Sequence, residues 1–286
     1  MLRSMLMKPP TRAGLGVLTG TVVCLAGMAG VSEGTLDQAP SVGLQLRSPE
    51  RLRVRVIRSF EHDPRAFTQG LVFHEGKLYE STGLAGYSSL RRVNPHTGAV
   101  ETKVSLESTL FGEGLARVDG QLYQLTWKEH RAIVWDLVTF KREREFGYEG
   151  EGWGLCFDGK SLVMSDGTDR LVRRDPRTFE KVGELKVRSG HMPVDKLNEL
   201  ECVGDAIYAN IWQQPTIARI DARTGSVSGW IDAAGLLAPE EYRAADVLNG
   251  IAYLPSSGRF IITGKLWPRS FEVEFAPVGR GRAERP

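Results

Sequence analysis

Five residues with polar or aromatic side chains recur at nearly even spacing along this 286-residue chain. Intervals of 44, 40, 45 and 51 residues separate them, and each lies in a short phrase that leads into an apolar stretch: Gln69, Glu113, Trp153, Asn198 and Asn249. Repeats of this length are arranged around a common axis, so equivalent positions converge on it. A carboxyl group, three amides and an indole would fill a core poorly, but they could bind a small polar ligand and move a proton.

A second set of residues follows the first by 13 to 16 positions. When one strand starts at a face of the fold and a hairpin leads the chain back, the second strand ends at that same face. This places the second set beside the first: Thr82, Trp127, Asp166, Trp212 and Lys265. The two sets together predict a pocket with indole walls and a few polar groups. A structural interpretation stays open for single members, because Asp166 suits a turn and Glu113 could hold backbone amides.

The spacing and the turn residues predict an all-β fold. Repeats of about 40 to 50 residues with four short strands are typical of β-propeller blades, and a glycine turn opens a second strand after each of the five phrases. The fifth repeat lacks its outermost strand, whereas Leu52 to Ile57 alternates apolar and basic residues as a half-buried strand would. We therefore predict a five-bladed β-propeller over residues 51–276, closed by pairing of this N-terminal strand with the last blade.

The first thirty residues differ in character from the rest of the chain. Basic residues precede an apolar run from Leu15 to Ala29 that ends in small residues, which predicts a signal peptide over residues 1–30, a linker over residues 31–50 and an exported protein, periplasmic or secreted. A membrane anchor is an alternative, although the run is shorter than the ~20 residues that a bilayer span needs. A lipid-anchored form through Cys24 is less favoured, because Val23 fits the required cleavage site poorly. Residues 277–286 are interpreted as a flexible tail.

Composition and cysteine usage narrow the classes of partner. The 37 basic and 35 acidic residues nearly balance and are scattered, which argues against nucleic-acid binding. No Cys-x-x-Cys or His-x-x-x-His spacing supports a metal site, and we predict none. Cys156 and Cys202 fall at similar places in the third and fourth repeats, where two small buried thiols are favoured over a disulfide. Glu199 and Glu201 flank the first set and could bind a cation, but we interpret them as solvated carboxylates.

Several phrases in order along residues 51–275 carry a family resemblance: Phe67-Thr68-Gln69-Gly70-Leu71, Glu80-Ser81-Thr82-Gly83-Leu84, Phe111-Gly112-Glu113-Gly114-Leu115, Leu125-Thr126-Trp127-Lys128, Gly152-Trp153-Gly154-Leu155, Leu197-Asn198-Glu199-Leu200-Glu201, Asn210-Ile211-Trp212 and Val247-Leu248-Asn249-Gly250-Ile251. They resemble the plant and bacterial type of glutaminyl-peptide cyclotransferase, a family of five-bladed propellers. The resemblance implies an acyltransferase that cyclises the N-terminal glutamine of peptides and proteins to pyroglutamate with release of ammonia. It implies no cofactor and no catalytic zinc, unlike the unrelated animal-type enzymes.

The resemblance also implies roles for residues of the two sets. Glu113 matches the acid/base glutamate, and we predict Glu113 and Lys265 as the catalytic pair. The predicted substrate-binding residues are Phe67, Gln69, Trp127, Trp153, Asn198 and Trp212.

The implied reaction makes demands that these residue types can meet. The α-amine attacks the γ-amide carbon of its own side chain, so indole walls must hold a bent substrate and exclude water. Glu113 would take a proton from the attacking nitrogen and give it to the leaving ammonia, while Lys265, Gln69 or Asn198 could stabilise the oxyanion. An ammonium close to Glu113 would lower the pKa of that carboxyl group. Either Lys265 therefore lies on the far side, at the carbonyl oxygen, or Glu113 is held ionised.

Two other classes of function are open from the sequence. A non-catalytic propeller that binds a peptide N-terminus or a small ligand at the channel mouth would carry similar residues. A cofactor-dependent sugar or alcohol dehydrogenase is disfavoured, because no histidine or cysteine stands in either set. For the favoured function the partners are peptides or proteins with an N-terminal glutamine, and we expect a monomer without stable membrane contact once the signal is removed.

Overall fold

The computed structural model describes residues 48–278, and strands form nearly all of their regular structure. This part of the chain is therefore all-β, as predicted. The first strand, β1, spans Glu50–Glu61, and the next twelve strands form three four-stranded antiparallel sheets. In chain order these strands are β2 (Thr68–His74), β3 (Lys77–Thr82), β4 (Ser89–Val93) and β5 (Val100–Ser105); β6 (Gly112–Val118), β7 (Gln121–Thr126), β8 (Arg131–Asp136) and β9 (Arg142–Gly147); β10 (Leu155–Phe157), β11 (Leu162–Ser165), β12 (Arg170–Arg174) and β13 (Lys181–Lys186).

The remaining strands form a short hairpin and one large sheet. The hairpin comprises β14 (Arg188–Ser189) and β15 (Met192–Pro193). The other elements are β16 (Leu197–Val203), β17 (Ala206–Ile211), β18 (Thr216–Asp221), β19 (Val227–Asp232), the short helix α1 (Pro239–Tyr242), β20 (Leu248–Leu254), β21 (Arg259–Gly264) and β22 (Arg269–Pro277). In the large sheet the order is β16-β17-β18-β19-β1-β22-β21-β20, so β1 separates two groups of strands that are consecutive in the chain.

Strand β1 supplies the outermost strand that the fifth repeat lacks. It pairs antiparallel with β22, from Leu52 opposite Pro277 to Glu61 opposite Arg269, so the predicted pairing of the N-terminal strand is confirmed. The first four residues of β1 also pair in parallel with β19, which the sequence did not predict. Because β19 would otherwise present an open edge, this contact protects backbone groups that could pair with another chain.

The hairpin turns fall where glycine and Asx residues predicted them. Glu75 and Gly76, between β2 and β3, have φ values of 46° and 75°, in the left-handed region that tight hairpin turns require. In the second hairpins, one side chain at each turn accepts a hydrogen bond from a backbone N–H two or three residues further on: Asn94, Asp136, Asp175 and Asp221. These turns fix the strand register, and the register decides which side chains reach the site.

The strands that begin the repeats, β2, β6, β10, β16 and β20, are called the inner strands below. They contact one another in a closed cycle, from β2 through β6, β10, β16 and β20 back to β2. Glycines permit this approach, since a Cβ on Gly70 would collide with the backbone of Leu115 and one on Gly114 with the backbone of Leu155. The glycine of the repeated phrase thus brings neighbouring inner strands close together.

Glu199 lies among the inner strands, so its interpretation as a solvated carboxylate is wrong. Its side chain is fully buried and accepts hydrogen bonds from the backbone N–H groups of Leu71 (3.2 Å) and Ile251 (2.8 Å). Glu201 is half-buried and accepts the N–H of Tyr253 at 2.8 Å. Burial raises the pKa of both carboxyl groups, that of Glu201 to about 8. Glu199 therefore links β16 to both β2 and β20.

Apolar side chains fill the spaces between neighbouring sheets. In one cluster Tyr123 and Leu125 from β7 pack with Leu155 and Leu162 from the next sheet, and all four are buried. Truncating one such side chain to alanine typically costs about 2 to 5 kcal/mol. This packing holds adjacent sheets at a fixed separation and so sets the distances across the site.

Cys156 and Cys202 form a disulfide, and the expectation of two free thiols is wrong. The cysteines lie on the neighbouring inner strands β10 and β16, with their Cα atoms 5.5 Å apart, within the range that disulfides require. Their similar positions in two repeats were visible in the sequence. The register between inner strands of different sheets was not, because no hairpin connects them.

We expect loss of this disulfide to lower the free energy of unfolding by about 2 to 4 kcal/mol, because the bond restricts the unfolded chain. It closes a loop with a sequence separation of 46 residues. Urea denaturation of a Cys156→Ala/Cys202→Ala variant against the oxidised parent measures the loss. Dithiothreitol should lower the midpoint of the parent and leave that of the variant unchanged, whereas a parent insensitive to reduction would contradict the bond.

Several predictions about the termini fall outside the described residues. The predicted signal peptide, most of the linker and all but the start of the tail lie there. At the described edges, β1 begins at Glu50 and β22 ends at Pro277, one residue beyond the predicted domain at each end. Within residues 48–278, no helix is long and apolar enough to cross a membrane.

Candidate active site

Four of the five repeated residues lie in β-bulges at the start of an inner strand. The pairing register between the inner strand and its neighbour shifts at each of them: Gln69, Glu113, Asn198 and Asn249. A bulge leaves a residue unpaired and re-aims its side chain, and bulges are frequent beside active sites. Trp153 lies two residues before β10. In four of the five repeats the phrase therefore coincides with a bulge at the repeated residue.

A chain of hydrogen bonds joins three of these side chains across neighbouring inner strands. The Nδ2 atom of Asn249 donates to the backbone oxygen of Thr68 (3.0 Å) and to Oε1 of Gln69 (3.2 Å). The Nε2 atom of Gln69 in turn donates to Oε1 of Glu113 at 3.0 Å. The two amides are thereby fixed in orientation, and one oxygen of Glu113 is occupied.

Glu113 is buried, with 5% of its surface exposed. Burial raises the pKa of its carboxyl group well above the usual value; the charge of Lys265 opposes this shift, and the charges of Glu151 and Glu129 add to it. A carboxyl group with a raised pKa keeps its proton to a higher pH than usual and can donate it. Because Oε1 accepts the Gln69 amide, Oε2 is the atom left to carry that proton.

Lys265 is also buried, with 6% of its surface exposed, and its Nζ lies 4.9 Å from the centre of the Phe67 ring. Among residues 48–278, no ion pair joins it to Glu113. Burial lowers the pKa of the ammonium, while the charges of Glu113 and Asp246 act in the opposite direction. Burial is thus the largest influence on both groups. The ammonium of Lys265 thus lowers the pKa of Glu113, as the sequence suggested, but burial of the carboxyl group outweighs this effect.

Aromatic rings of the predicted site residues form two contacting groups. Phe67 meets Phe111 edge-on with ring centres 6.1 Å apart, and Phe111 meets Trp127 at 5.5 Å. Trp153 and Trp212 form a second edge-to-face pair at 5.6 Å. All five rings are half-buried, as walls of an open pocket would be. The sequence identified four of these residues but not Phe111, although it stands two positions before Glu113.

Glu151 joins the two groups of rings, and sequence reasoning missed it. Its Oε2 accepts hydrogen bonds from Nε1 of Trp127 (2.7 Å) and Nε1 of Trp153 (3.0 Å). Lys128 lies with Nζ 3.7 Å from Oε1 of Glu151 and 4.1 Å from the centre of the Trp127 ring. The sequence feature that could have identified Glu151 is its position two residues before Trp153, one of the five repeated residues. One carboxylate therefore fixes two walls of the pocket.

We expect Glu151→Ala to raise KM about 10-fold with a smaller change in kcat, since hydrogen bonds to a charged group contribute roughly 1.5 to 3 kcal/mol. Glu151→Gln keeps an oxygen acceptor for the indoles and should retain most of the binding. Glu129→Ala is the matched control, because Glu129 contacts the backbone N–H of Phe111 at 3.4 Å but holds no indole. Equal effects of Glu129→Ala and Glu151→Ala on KM would contradict the assignment.

Of the remaining predicted residues, some belong to the site and others stabilise the fold around it. The side-chain amide of Asn198 is buried and, among the described residues, has no hydrogen-bond partner, whereas its backbone oxygen accepts from Oγ of Ser165 at 2.7 Å. Asp166 accepts from the backbone N–H of Thr168 at 3.0 Å, which makes it a turn former. Thr82 shares a 2.7 Å hydrogen bond with Ser89 inside its sheet. Asn198 is therefore available to a ligand, and Asp166 and Thr82 serve the fold.

These observations describe an all-β chain whose inner strands hold a buried carboxyl group with a raised pKa, bonded to a fixed amide and accompanied by half-buried aromatic rings. Comparison with known families identifies the family to which the chain belongs. The model of the glutamine cyclotransferase family matches residues 23–275, and the chain belongs to this family. The resemblance read from the repeated phrases is confirmed.

Two relatives show the same similarity over most of their length. The glutaminyl-peptide cyclotransferase of Arabidopsis thaliana is 41% identical over 226 residues, which cover 77% of this chain and 71% of the relative. The crystal structure of the glutaminyl cyclase of Myxococcus xanthus is 43% identical with a TM-score of 0.74, covering 81% of this chain and 100% of that chain. The likeness therefore concerns both the sequence and the fold.

Proposed function

We propose that this protein is a glutaminyl-peptide cyclotransferase, which converts the N-terminal glutamine of peptides and proteins to pyroglutamate and releases ammonia. The observation that carries the proposal is Glu113, a buried carboxyl group with a raised pKa, oriented by Gln69. Family membership and the two named relatives support the same reaction. The proposed substrates are chains with a free N-terminal glutamine.

The first requirement of the reaction is a bent substrate shielded from water. The side chains of Phe67, Trp127, Trp153 and Trp212 offer flat aromatic surfaces in two groups, which Glu151 joins through its hydrogen bonds to Trp127 and Trp153. A five-membered ring closes only when the α-nitrogen lies near the side-chain carbonyl carbon, and a rigid pocket supplies this orientation in advance. We assign these four residues, with Gln69 and Asn198, to substrate binding.

The second requirement is transfer of a proton between two nitrogens. The neutral α-amine attacks the γ-amide carbon to give a tetrahedral intermediate. Glu113, neutral at rest, gives its proton to the departing amide nitrogen, and the C–N bond to that nitrogen breaks. The carboxylate so formed takes a proton from the new ring nitrogen, which restores Glu113 and leaves pyroglutamate and ammonia. No other proton donor is needed, because one carboxyl group serves both steps.

The third requirement is stabilisation of the oxygen that becomes negative in the intermediate. Lys265 keeps its Nζ over the Phe67 ring without an ion pair to Glu113 among residues 48–278, and in the same residues the amide of Asn198 makes no side-chain hydrogen bond. A cationic donor in a buried site stabilises such an oxyanion strongly. We assign Lys265 to this role with Asn198 as the second donor, in a mechanism that requires no metal.

The architecture that we propose for residues 51–276 is a five-bladed β-propeller, which forms the catalytic domain. The closed cycle of five inner strands supports it, as do the three four-stranded sheets and the large sheet, in which β16 to β19 form one group of four and β1 with β20 to β22 forms another. In a propeller the inner strands of all blades surround one axis. The bulged residues would then line the mouth of the central channel.

We further propose that the protein is exported to the periplasm or secreted, as a monomer without stable membrane contact. The basic and apolar pattern of residues 1–30 supports a signal peptide, followed by a linker over residues 31–50; residues 277–286 would form a flexible tail. The disulfide between Cys156 and Cys202 suits an oxidising compartment. N-terminal sequencing of the exported protein should give a start near Val31, and recovery of Met1 in that fraction would overturn export by cleavage.

Mass spectrometry of a peptide with N-terminal glutamine, incubated with the purified protein, tests the proposed reaction. The product should have lost one ammonia, and its N-terminus should resist stepwise degradation. A peptide acetylated on its α-nitrogen should remain unchanged, because it lacks the nucleophile. Binding of the free peptide without conversion would instead support a non-catalytic propeller that captures N-termini.

A further inference from the structure

A second concave site lies beside the candidate active site, and the reaction does not use it. The turn after β17, the connection between β19 and β20, and Trp267 form its walls. Leu236, Val247 and Trp267 make the lining largely apolar, and Gln213 and Gln214 add amide groups. Below, this site is called the side pocket. Its lining is less polar than the surroundings of Glu113, as a site for apolar side chains would be.

The side pocket adjoins the active site along the chain. Gln213 directly follows Trp212, Leu248 directly precedes Asn249, and Trp267 comes two residues after Lys265. Since consecutive Cα atoms are 3.8 Å apart, the side pocket begins within one or two residue lengths of three proposed site residues. A peptide extending from the active site in this direction would reach it with its second or third residue.

Strand pairing places the two sites on one face. Ile211 pairs with Leu197, the neighbour of Asn198, and Asp232 pairs with Thr216, so β17, β18 and β19 all have an end at this face. The connection that follows Asp232 runs from residue 233 to residue 247. Surface connections often carry binding residues on the scaffold of the strands that they join. Helix α1 in this connection carries Tyr242, which is 61% exposed at the edge of the side pocket.

We infer that the side pocket binds the residues that follow the N-terminal glutamine of the substrate, and that it favours an apolar side chain at the second or third position. The inference rests on the proposed function, because it takes the substrate to be a peptide. Leu236 and Tyr242 contribute apolar surface, and the amides of Gln213 and Gln214 are suited to the peptide backbone. The side pocket thus contributes to the choice among peptides and takes no part in proton transfer.

Binding measured by calorimetry in a Glu113→Gln background tests the inference without turnover. The two probes are the tetrapeptides Gln-Leu-Leu-Gly and Gln-Gly-Gly-Gly. We expect the leucine peptide to bind about 10-fold more tightly, a preference typical of one or two well-placed apolar groups. Leu236→Ala and Tyr242→Ala, each added to this background, should remove most of the preference. Tyr242 is exposed, so its truncation should not impair folding.

Tyr87→Ala is the matched control, since Tyr87 is a 78% exposed tyrosine in the connection after β3, at the same face but outside the side pocket. It should leave the preference for the leucine peptide intact. Equal binding of the two tetrapeptides, or loss of the preference in Tyr87→Ala, would overturn the inference. A parent that discriminates between the tetrapeptides but cyclises neither would refute the proposed reaction and leave the side pocket supported.

Discussion

Glu113→Gln should lower kcat for cyclisation about 100-fold to 10,000-fold, the loss typical of a missing acid/base group. The amide keeps the size of the side chain and can still accept the hydrogen bond from Gln69, so the pocket should retain its shape. It has no proton of the required acidity to give to the departing nitrogen. Steady-state kinetics on a glutaminyl dipeptide measures the loss in kcat, and KM should change little because binding survives.

The control for Glu113→Gln is Glu129→Gln, which alters a carboxylate that influences Glu113 but makes only a long contact to the Phe111 backbone. It should keep most of the parent kcat. A correctly folded Glu113→Gln protein that cyclises at more than about a tenth of the parent rate would exceed the activity expected without the acid/base group. The proton carrier would then have to be sought elsewhere in the pocket.

The pH dependence of kcat should follow from the raised pKa of Glu113. The proposed resting form is the neutral acid, which burial preserves well above the ordinary range of a carboxyl group. Activity should therefore fall as the pH rises through that raised pKa, and on the acid side it should fall as the substrate amine becomes protonated. The pH profile of the residual activity of Glu113→Gln should still fall at acid pH but should no longer fall at alkaline pH. An unchanged alkaline limb in the variant would assign it to another group.

Lys265→Met should lower kcat about 100-fold to 1,000-fold, the loss typical of a missing oxyanion donor. Methionine fills similar space over the Phe67 ring but supplies neither charge nor proton, so KM should change less than kcat. Lys265 opposes the raised pKa of Glu113, and its removal should therefore move the alkaline limb of the pH profile upward. The loss in kcat and the shift of the alkaline limb together distinguish an electrostatic role of Lys265 from simple packing.

Lys128→Met serves as the control for Lys265→Met. Lys128 is a second cation beside an aromatic ring of the pocket, 4.1 Å from the centre of Trp127, but it is exposed. Its loss should leave most of the parent kcat, since exposed charges are screened by solvent. Equal losses in both variants would show that general positive charge matters and would contradict a specific donor.

Much of the fold was readable from the sequence because the signals are local. Glycine and Asx turns mark the hairpins, and alternation in Leu52 to Ile57 identified the strand that pairs with β22. Contacts between sheets left no local signal. The parallel contact of β1 with β19 and the disulfide between Cys156 and Cys202 both depend on how separate sheets approach one another.

The site was predictable where a residue recurs in the repeated phrase. Gln69, Glu113 and Asn249 were identified by period alone, and the structure joins them by hydrogen bonds. Glu151 was missed because a carboxylate near the surface is usually solvated, and nothing in the sequence shows two indole N–H groups converging on it. Glu199 was misread for the same reason: its partners are backbone amides, which the identity of their residues does not reveal.

The most direct test of the central claim, that Glu113 drives cyclisation of N-terminal glutamine in this pocket, is ammonia release from a glutaminyl dipeptide in excess chelator. The parent protein should release ammonia steadily, in step with the appearance of pyroglutamyl product. Glu113→Gln, measured beside it at the same concentration, should release less than about a hundredth as much per unit time. A parent that releases no ammonia, or a pair of proteins with similar rates, would contradict the account.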